Sequence, residues 1–333
     1  MKSSHRLIKI LFVLVFLNGC AASYTSVSFE ILEPAVVSLP EHVSHVGILN
    51  RAPISYHVFD SADIRNLTKE QLVKVDTVIT LNILKSLNQK LSTSKVSAYH
   101  LPIWFSSRRK DTIGLDIPLT KREVNDLCRM HGVDIIISLE YYKLNIEVKK
   151  DWDLDYLVSE YYEVSNQVKW AIYQRDFPRP FNEYTTRDTL VYIYWLEGYY
   201  YDTGESLDKV RDISRKSGET YGNYLVPTWS VVNRTLYKGR GSDLRKAIRY
   251  TNKGEWDSAY TIWNHLLVNE DSALAAKAAY NLAIYFELED KLDTALRYVK
   301  RSHNLDSTDL SESYQDDLEV RIINRDQVLK QVN

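Results

Sequence analysis

Two cysteines, two methionines, eleven glycines and eight prolines are all that the 333 residues contain of these types. The cysteine count allows at most one disulfide, which excludes a disulfide-stapled scaffold and a four-thiolate metal centre. So few glycines and prolines exclude collagen-like, linker-rich and low-complexity chains. The formal net charge is only −2, and no basic stripe marks the chain for nucleic acid. No apolar run reaches the ~20 residues that cross a bilayer. The motifs HExxH, GxSxG, the P-loop and GxGxxG are all missing. No acid, base, nucleophile and metal set assembles from local spacing, so no catalytic residue, cofactor or metal is expected.

What is present belongs to a globular chain, with 44% hydrophobic and 26% charged residues. The length leaves room for about two domains of ordinary size. Tyrosine is abundant at 24 residues, many adjacent, as at Tyr141/Tyr142, Tyr161/Tyr162 and Tyr199 to Tyr201. Such residues either fill the faces and rims of sheets or form a stacking platform for sugars.

The start of the chain has a positive region with Lys2, Arg6 and Lys9, the apolar run Ile10 to Leu17, then Asn18 and Gly19. That order is the order of a secretory signal. The stretch LNGC, ending at Cys20, resembles the bacterial lipobox. The resemblance implies cleavage after Gly19, a diacylglycerol thioether on Cys20 and an acylated N-terminus there. Several acyl chains hold a protein almost permanently, since each buried CH₂ contributes roughly 0.8 kcal/mol. Under the rule of that class, Ala21 directs the product to the outer membrane. Cys128, in TKREVNDLCRM, reads as a small buried hydrophobe on a helix, set against a reactive or disulfide role.

Residues 20–40 read as a lipidated tether after the signal peptide of residues 1–19. Val43, Val46, Ile48 and Leu49 mark a first strand. Thr68 and Gln71 have capping-box spacing, with Leu72, Val75, Ile79, Ile83 and Leu87 as a helical stripe behind them. A second strand is expected in KVSAYHLPIW, stopped near Pro102, and then a surface loop. Thr120 and Glu123 repeat the capping box, and Gly132 is placed to end that helix. VDIIISLEYY reads as a buried strand, KLNIEV and NQVKWAIYQ as two more, and LVYIYWLEGYYY as another. SLDKVRDISRKSGETYGNYL returns as a helix. The expected fold is an α/β (α+β) sandwich domain with a mixed sheet over residues 41–225. Its order of elements, with the turn in HGVDIIISLE, resembles the periplasmic α/β domains of TolB and of CsgG-type lipoproteins. That resemblance implies assembly and protein contacts at the cell envelope, without shared catalytic residues.

The end of the chain carries a repeat. Gly254, Trp256, Ala259 and Trp263 in RKAIRYTNKGEWDSAYTIWNHLL resemble the turn and second helix of a tetratricopeptide repeat. Alanine is required where two helices approach closely. Ala295 follows Ala259 by 36 residues, Val299 stands where Trp263 stands, and Ala279, Leu282, Ala283 and Phe286 match a first helix. The proline that closes such repeats is replaced near Ser307. The expectation is an all-α tetratricopeptide-like domain over 226–306, with repeats at about 240–271 and 276–306 and a capping helix over 307–333. Pro227, Trp229, Arg234 and Tyr237 before GEWDSA resemble an uncharacterised family of tetratricopeptide-containing bacterial lipoproteins. Trp229 and Arg234 are expected either to join the domains, by packing and a charged hydrogen bond, or to touch a ligand.

Two further patterns fall short of a metal site. Asp151, Asp153 and Asp155 have calcium-loop spacing, but Tyr156 stands where the turn needs Gly and Tyr162 where the loop needs Glu. His42 and His45 lack a third ligand. The expected function is a non-enzymatic lipoprotein of the outer membrane, facing the periplasm, that binds an envelope protein partner. In the resembled repeat the groove is lined by the helix positions that here hold Lys277, Tyr280, Ile284 and Glu287. The alternative is a carbohydrate-binding accessory lipoprotein using exposed tyrosine and tryptophan.

Overall fold

A computed structural model describes residues 24–40, 43–53, 68–93, 103–107, 117–152, 158–194, 203–239 and 242–332. The expected signal peptide, Cys20, His42, residues 108–116 of the expected surface loop, residues 153–157 with Asp153 and Asp155, and Tyr199 to Tyr201 lie outside them. The chain divides into two compact units, one of Pro34–Thr228 with Val328–Asn333, the other of Met1–Glu33 with Trp229–Gln327. A mixed α/β region is therefore followed by a helical region, with an N-terminal strand added to the latter.

The α/β unit is built on five strands: β2 (Val46–Asn50), β3 (Ile103–Ser106), β4 (Ile135–Trp152), β5 (Val158–Gln174) and β6 (Asn182–Tyr194). Their order is β3-β2-β4-β5-β6. β2 runs parallel to β3 and β4, whereas β4, β5 and β6 are antiparallel neighbours. Helices α1 (Lys69–Thr93) and α3 (Thr203–Leu225) cover one face, where Ile79, Ile83 and Leu87 of the predicted stripe join Ile48, Leu144, Val168, Trp170, Ile213 and Tyr221 in the larger core. Gly218 permits the close approach of the two helices, because a Cβ there would stand 2.1 Å from the Ile83 carbonyl oxygen. Helix α2 (Lys121–His131) covers part of the other face through Val124 and Cys128, against Leu49, Ile136, Ala171 and Tyr173.

Both predicted capping boxes form. Thr68 N–H donates to Gln71 Oε1 at 2.8 Å while Gln71 N–H donates to Thr68 Oγ1 at 3.3 Å. Thr120 and Glu123 do the same for α2, and Gly132 ends it at φ 64°. Two strand expectations need correction. KLNIEV is not a separate strand: β4 runs unbroken through it, because a bulge between Leu139 and Tyr141 absorbs the change of parity in the apolar alternation. Lys95 to Pro102 of the expected second strand lie outside the described residues, and the described strand β3, at the sheet edge, begins only at Ile103. The segment expected as a tether forms β1 (Tyr24–Glu33), which pairs with β7 (Thr228–Tyr237) in the second unit.

That second unit stacks α4 (Ser242–Thr251), α5 (Trp256–Leu266), α6 (Ser272–Leu288), α7 (Leu292–Leu305) and α8 (Asp309–Val332). Ala259, Trp263, Ala279, Ala283, Ala295 and Val299 are fully buried at the helix crossings. Val27 and Phe29 of β1 pack on this core. Ser28 Oγ donates to Asn233 Oδ1 at 2.6 Å and the Tyr24 ring lies 5.2 Å from that of Tyr237, so the ribbon is antiparallel. The fully buried Asn281 of α6 completes the main chain of Tyr237, accepting from its N–H and donating to its carbonyl, both at 2.8 Å. An exposed edge is thereby closed by a side-chain amide.

Candidate functional site

The four positions expected to line a groove lie on α6, and the structure closes that groove. Tyr280, Ile284 and Glu287 are all buried, and Lys277 is half-buried. β7 and α8 occupy the face that a free tetratricopeptide array leaves open. The partner-binding assignment to Tyr280, Ile284 and Glu287 is therefore wrong as a surface.

What replaces the groove is a charge cluster. Arg234 of β7 straddles Glu287, with Nε donating to Oε2 and Nη2 to Oε1, each at 2.9 Å, while its Nη1 reaches Asp317 Oδ2 at 3.0 Å. Arg321 of α8 stands 2.7 Å from Glu287 Oε1, and the Tyr314 hydroxyl donates to Oε2 at 2.7 Å. Burial pushes the Glu287 carboxyl up, but the hydrogen bonds and charge of Arg234, aided by Tyr314 and Arg321, outweigh it and hold the group below the usual carboxylate range. Burial and the neighbouring Glu287 carboxylate push the Tyr314 phenol well above its ordinary value. An anion gripped by two guanidinium groups and a phenol cannot take up or release a proton near neutrality. It joins β7, α6 and α8. Arg234 thus makes the expected charged hydrogen bond, with partners inside its own unit, while Trp229 is 66% exposed.

The α/β unit holds a second closed network. Arg51, just beyond β2, donates from Nη1 to Glu140 Oε2 at 2.6 Å and from Nη2 to the Ile117 carbonyl at 2.9 Å. The Tyr173 hydroxyl donates to Glu140 Oε1 at 3.1 Å and accepts from Leu119 N–H at 3.3 Å. These bonds tie the chain entering α2 to the sheet, at the bulge that carries Glu140. No local pattern marked Arg51, Glu140, Asn281 or Arg321, because a buried polar group is recognisable only beside its partner. Tyr314 falls in the helical register of Leu310, Leu318 and Ile322, which marks it as buried but not as a partner of Glu287.

The remaining sequence candidates resolve structurally. Cys128 is buried, and burial pushes its thiol up to about 11. Asp134 accepts from the backbone N–H of Ser44 and His45 at 3.0 and 2.9 Å, capping the entry to β2 rather than holding a metal with His45. Among the described residues no group of three His, Cys, Asp or Glu could hold a metal ion, and no helix is long and apolar enough to cross a membrane. Tyr142 is buried and donates to Asp76 at 2.6 Å, so that tyrosine is unavailable to a sugar.

A family model covers residues 43–237, more than half of the chain, under the description Domain of unknown function (DUF8603). The chain belongs to the DUF8603 family. The DUF8603 segment begins just before β2 and ends on the last residue of β7, so it carries Arg234 but not Glu287. Residues 245–322 match a second model, Domain of unknown function (DUF6340), which spans most of α4 to the middle of α8 and supplies Glu287, Tyr314 and Arg321. No curated protein sequence matches the chain. A crystal structure described as a neuraminyllactose-binding hemagglutinin homolog from Helicobacter pylori is similar at 12% identity, with a TM-score of 0.34, over 56% of this chain and 88% of its own. A likeness of that size is too slight to define a shared fold.

Proposed function

We propose that the protein is a lipid-anchored scaffold at the periplasmic side of the outer membrane, without catalysis, that docks an envelope protein on its helical unit. The lipobox-like LNGC at Cys20 supports the anchor. Ala259 and Ala295, both fully buried at equivalent crossings 36 residues apart, support a tetratricopeptide-like origin for the two helical hairpins. The α/β unit, with α1 and α3 on one face, is in keeping with a TolB- or CsgG-type assembly domain.

The observation that carries the docking reading is on α8. With the inner face of α6 filled, one exposed surface of the helical unit is the outer stripe of its last helix. There Val320 and Ile323 are 56% and 66% exposed, in line with exposed Glu312 and Asp316 at helical spacing. Terminal helices of repeat arrays are ordinarily polar outside, so an apolar pair flanked by acids fits a basic amphipathic segment of a partner. A photo-crosslinker at Ile323, in cells, is expected to capture a basic peptide, and that peptide is expected to bind the purified protein more than about tenfold more weakly after Val320→Asp. Unchanged binding with an unchanged urea midpoint would remove α8 from the reading.

A further inference from the structure

We propose that the end of the helical unit carrying Tyr24, Val268 and Leu305 rests on a zwitterionic lipid surface. The inference rests on the reading of Cys20 as the acylated residue. Only Ala21, Ala22 and Ser23 separate Cys20 from β1, a span of about 14 Å when fully extended. β1 is held in the unit by its pairing with β7, by Val27 and Phe29 in the core, and by Ser28 to Asn233. The acyl chains therefore lie close to Tyr24, whereas α6, with 17 residues, makes the unit about 25 Å tall.

Which end lies near the lipid follows from three contacts. The Tyr24 ring lies against that of Tyr237 at a tilt, and the Tyr237 hydroxyl lies 3.4 Å from Thr308 Oγ1, next to the start of α8. Arg301, one turn before the end of α7, donates to the Leu267 carbonyl at 3.0 Å. The turns after α5 and α7 thus share the end toward which the Tyr237 side chain, with Tyr24 beside it, points. At that end Val268 is 82% exposed, Leu305 37% and Tyr24 50%. The turns at the opposite end, Asn252 to Glu255 and Glu289 to Lys291, are exposed and carry no apolar side chain. Among the described turns of the unit, the exposed apolar tips are those after α5 and α7, two aliphatic residues that with half-wet Tyr24 are suited to a lipid interface. Trp229, Val231, Val320 and Ile323 are exposed on β7 and α8 instead. Glu270, Asp271, Asp306 and Asp309 outnumber Arg301 and Lys238 at the same end, so an anionic surface would be less favourable to it than a zwitterionic one.

The test uses the full lipidated protein from its native host in phosphatidylcholine vesicles with brominated acyl chains. A fluorescent label is placed at Val268→Cys, at Leu305→Cys or, at the far end, at Lys253→Cys. Cys20 is acylated and Cys128 is buried, so neither takes the label. The expected result is loss of fluorescence at 268 and 305 and none at 253, with the loss reduced as anionic lipid replaces phosphatidylcholine. A ten-residue Gly-Ser insertion after Ser23 should abolish it while the protein stays on the vesicles. Acylated protein that floats with the vesicles but is quenched equally at 268 and 253 overturns this orientation and leaves the anchor standing. Protein whose intact mass lacks acyl chains overturns both.

Discussion

Arg234 and Glu287 lie 53 positions apart in the chain and meet through two parallel hydrogen bonds of 2.9 Å inside the helical unit. The pair helps fill, with the unit's own strand and its own last helix, the face of α6 expected to be an open groove. An expected ligand groove has become core.

Breaking that pair should be costly. Arg234→Ala leaves a buried carboxylate with one guanidinium, that of Arg321, and the Tyr314 hydroxyl, and an unfolding free energy lower by about 3–5 kcal/mol is expected in urea titrations. The Glu287 carboxyl is held below its ordinary value in the folded protein. Its contribution is therefore complete above the unfolded value near about pH 4.3 and is lost as pH falls through the folded one. Glu287→Gln should be less stable at neutral pH and should flatten that part of the acid-side decline. A variant with the parent's pH profile would separate the cluster from acid stability.

Phe29→Ala distinguishes a strand from a tether. Phe29 packs on the helical core and faces the Arg321 guanidinium at 5.9 Å. Loss of about 1–3 kcal/mol from the helical unit is expected in thermal or urea unfolding, where a tether residue would give none.

Thiol titration separates the two cysteines. The Cys128 thiol, pushed up to about 11 by burial, stays protonated and shielded at pH 8. Ellman's reagent should find no thiol in the folded lipidated protein and one after urea. A second thiol in urea would contradict acylation of Cys20.

The start and end of α2 should each be worth a measurable amount. Thr120→Ala removes the acceptor for Glu123 N–H and should cost about 1 kcal/mol. Gly132→Ala, at φ 64°, should cost a similar amount through the left-handed conformation alone, since open space surrounds the added methyl group.

The sequence by itself determined what depends on near neighbours. Thr68 with Gln71, Thr120 with Glu123 and Gly132 act within a few residues, so both capped helices were legible, as were the buried run Ile135 to Leu139 and the alanines at the helix crossings. β1 shows the limit of such signals: Val27, Phe29 and Ile31 alternate with Ser26, Ser28 and Glu30, but alternation names no partner. Its place was decided by Asn233, 205 positions away. Likewise Glu287 reads as a surface helix residue until Arg234, Tyr314 and Arg321 arrive from β7 and α8. Burying a carboxylate is unfavourable until two cations and a phenol surround it, and only the tertiary structure brings them together.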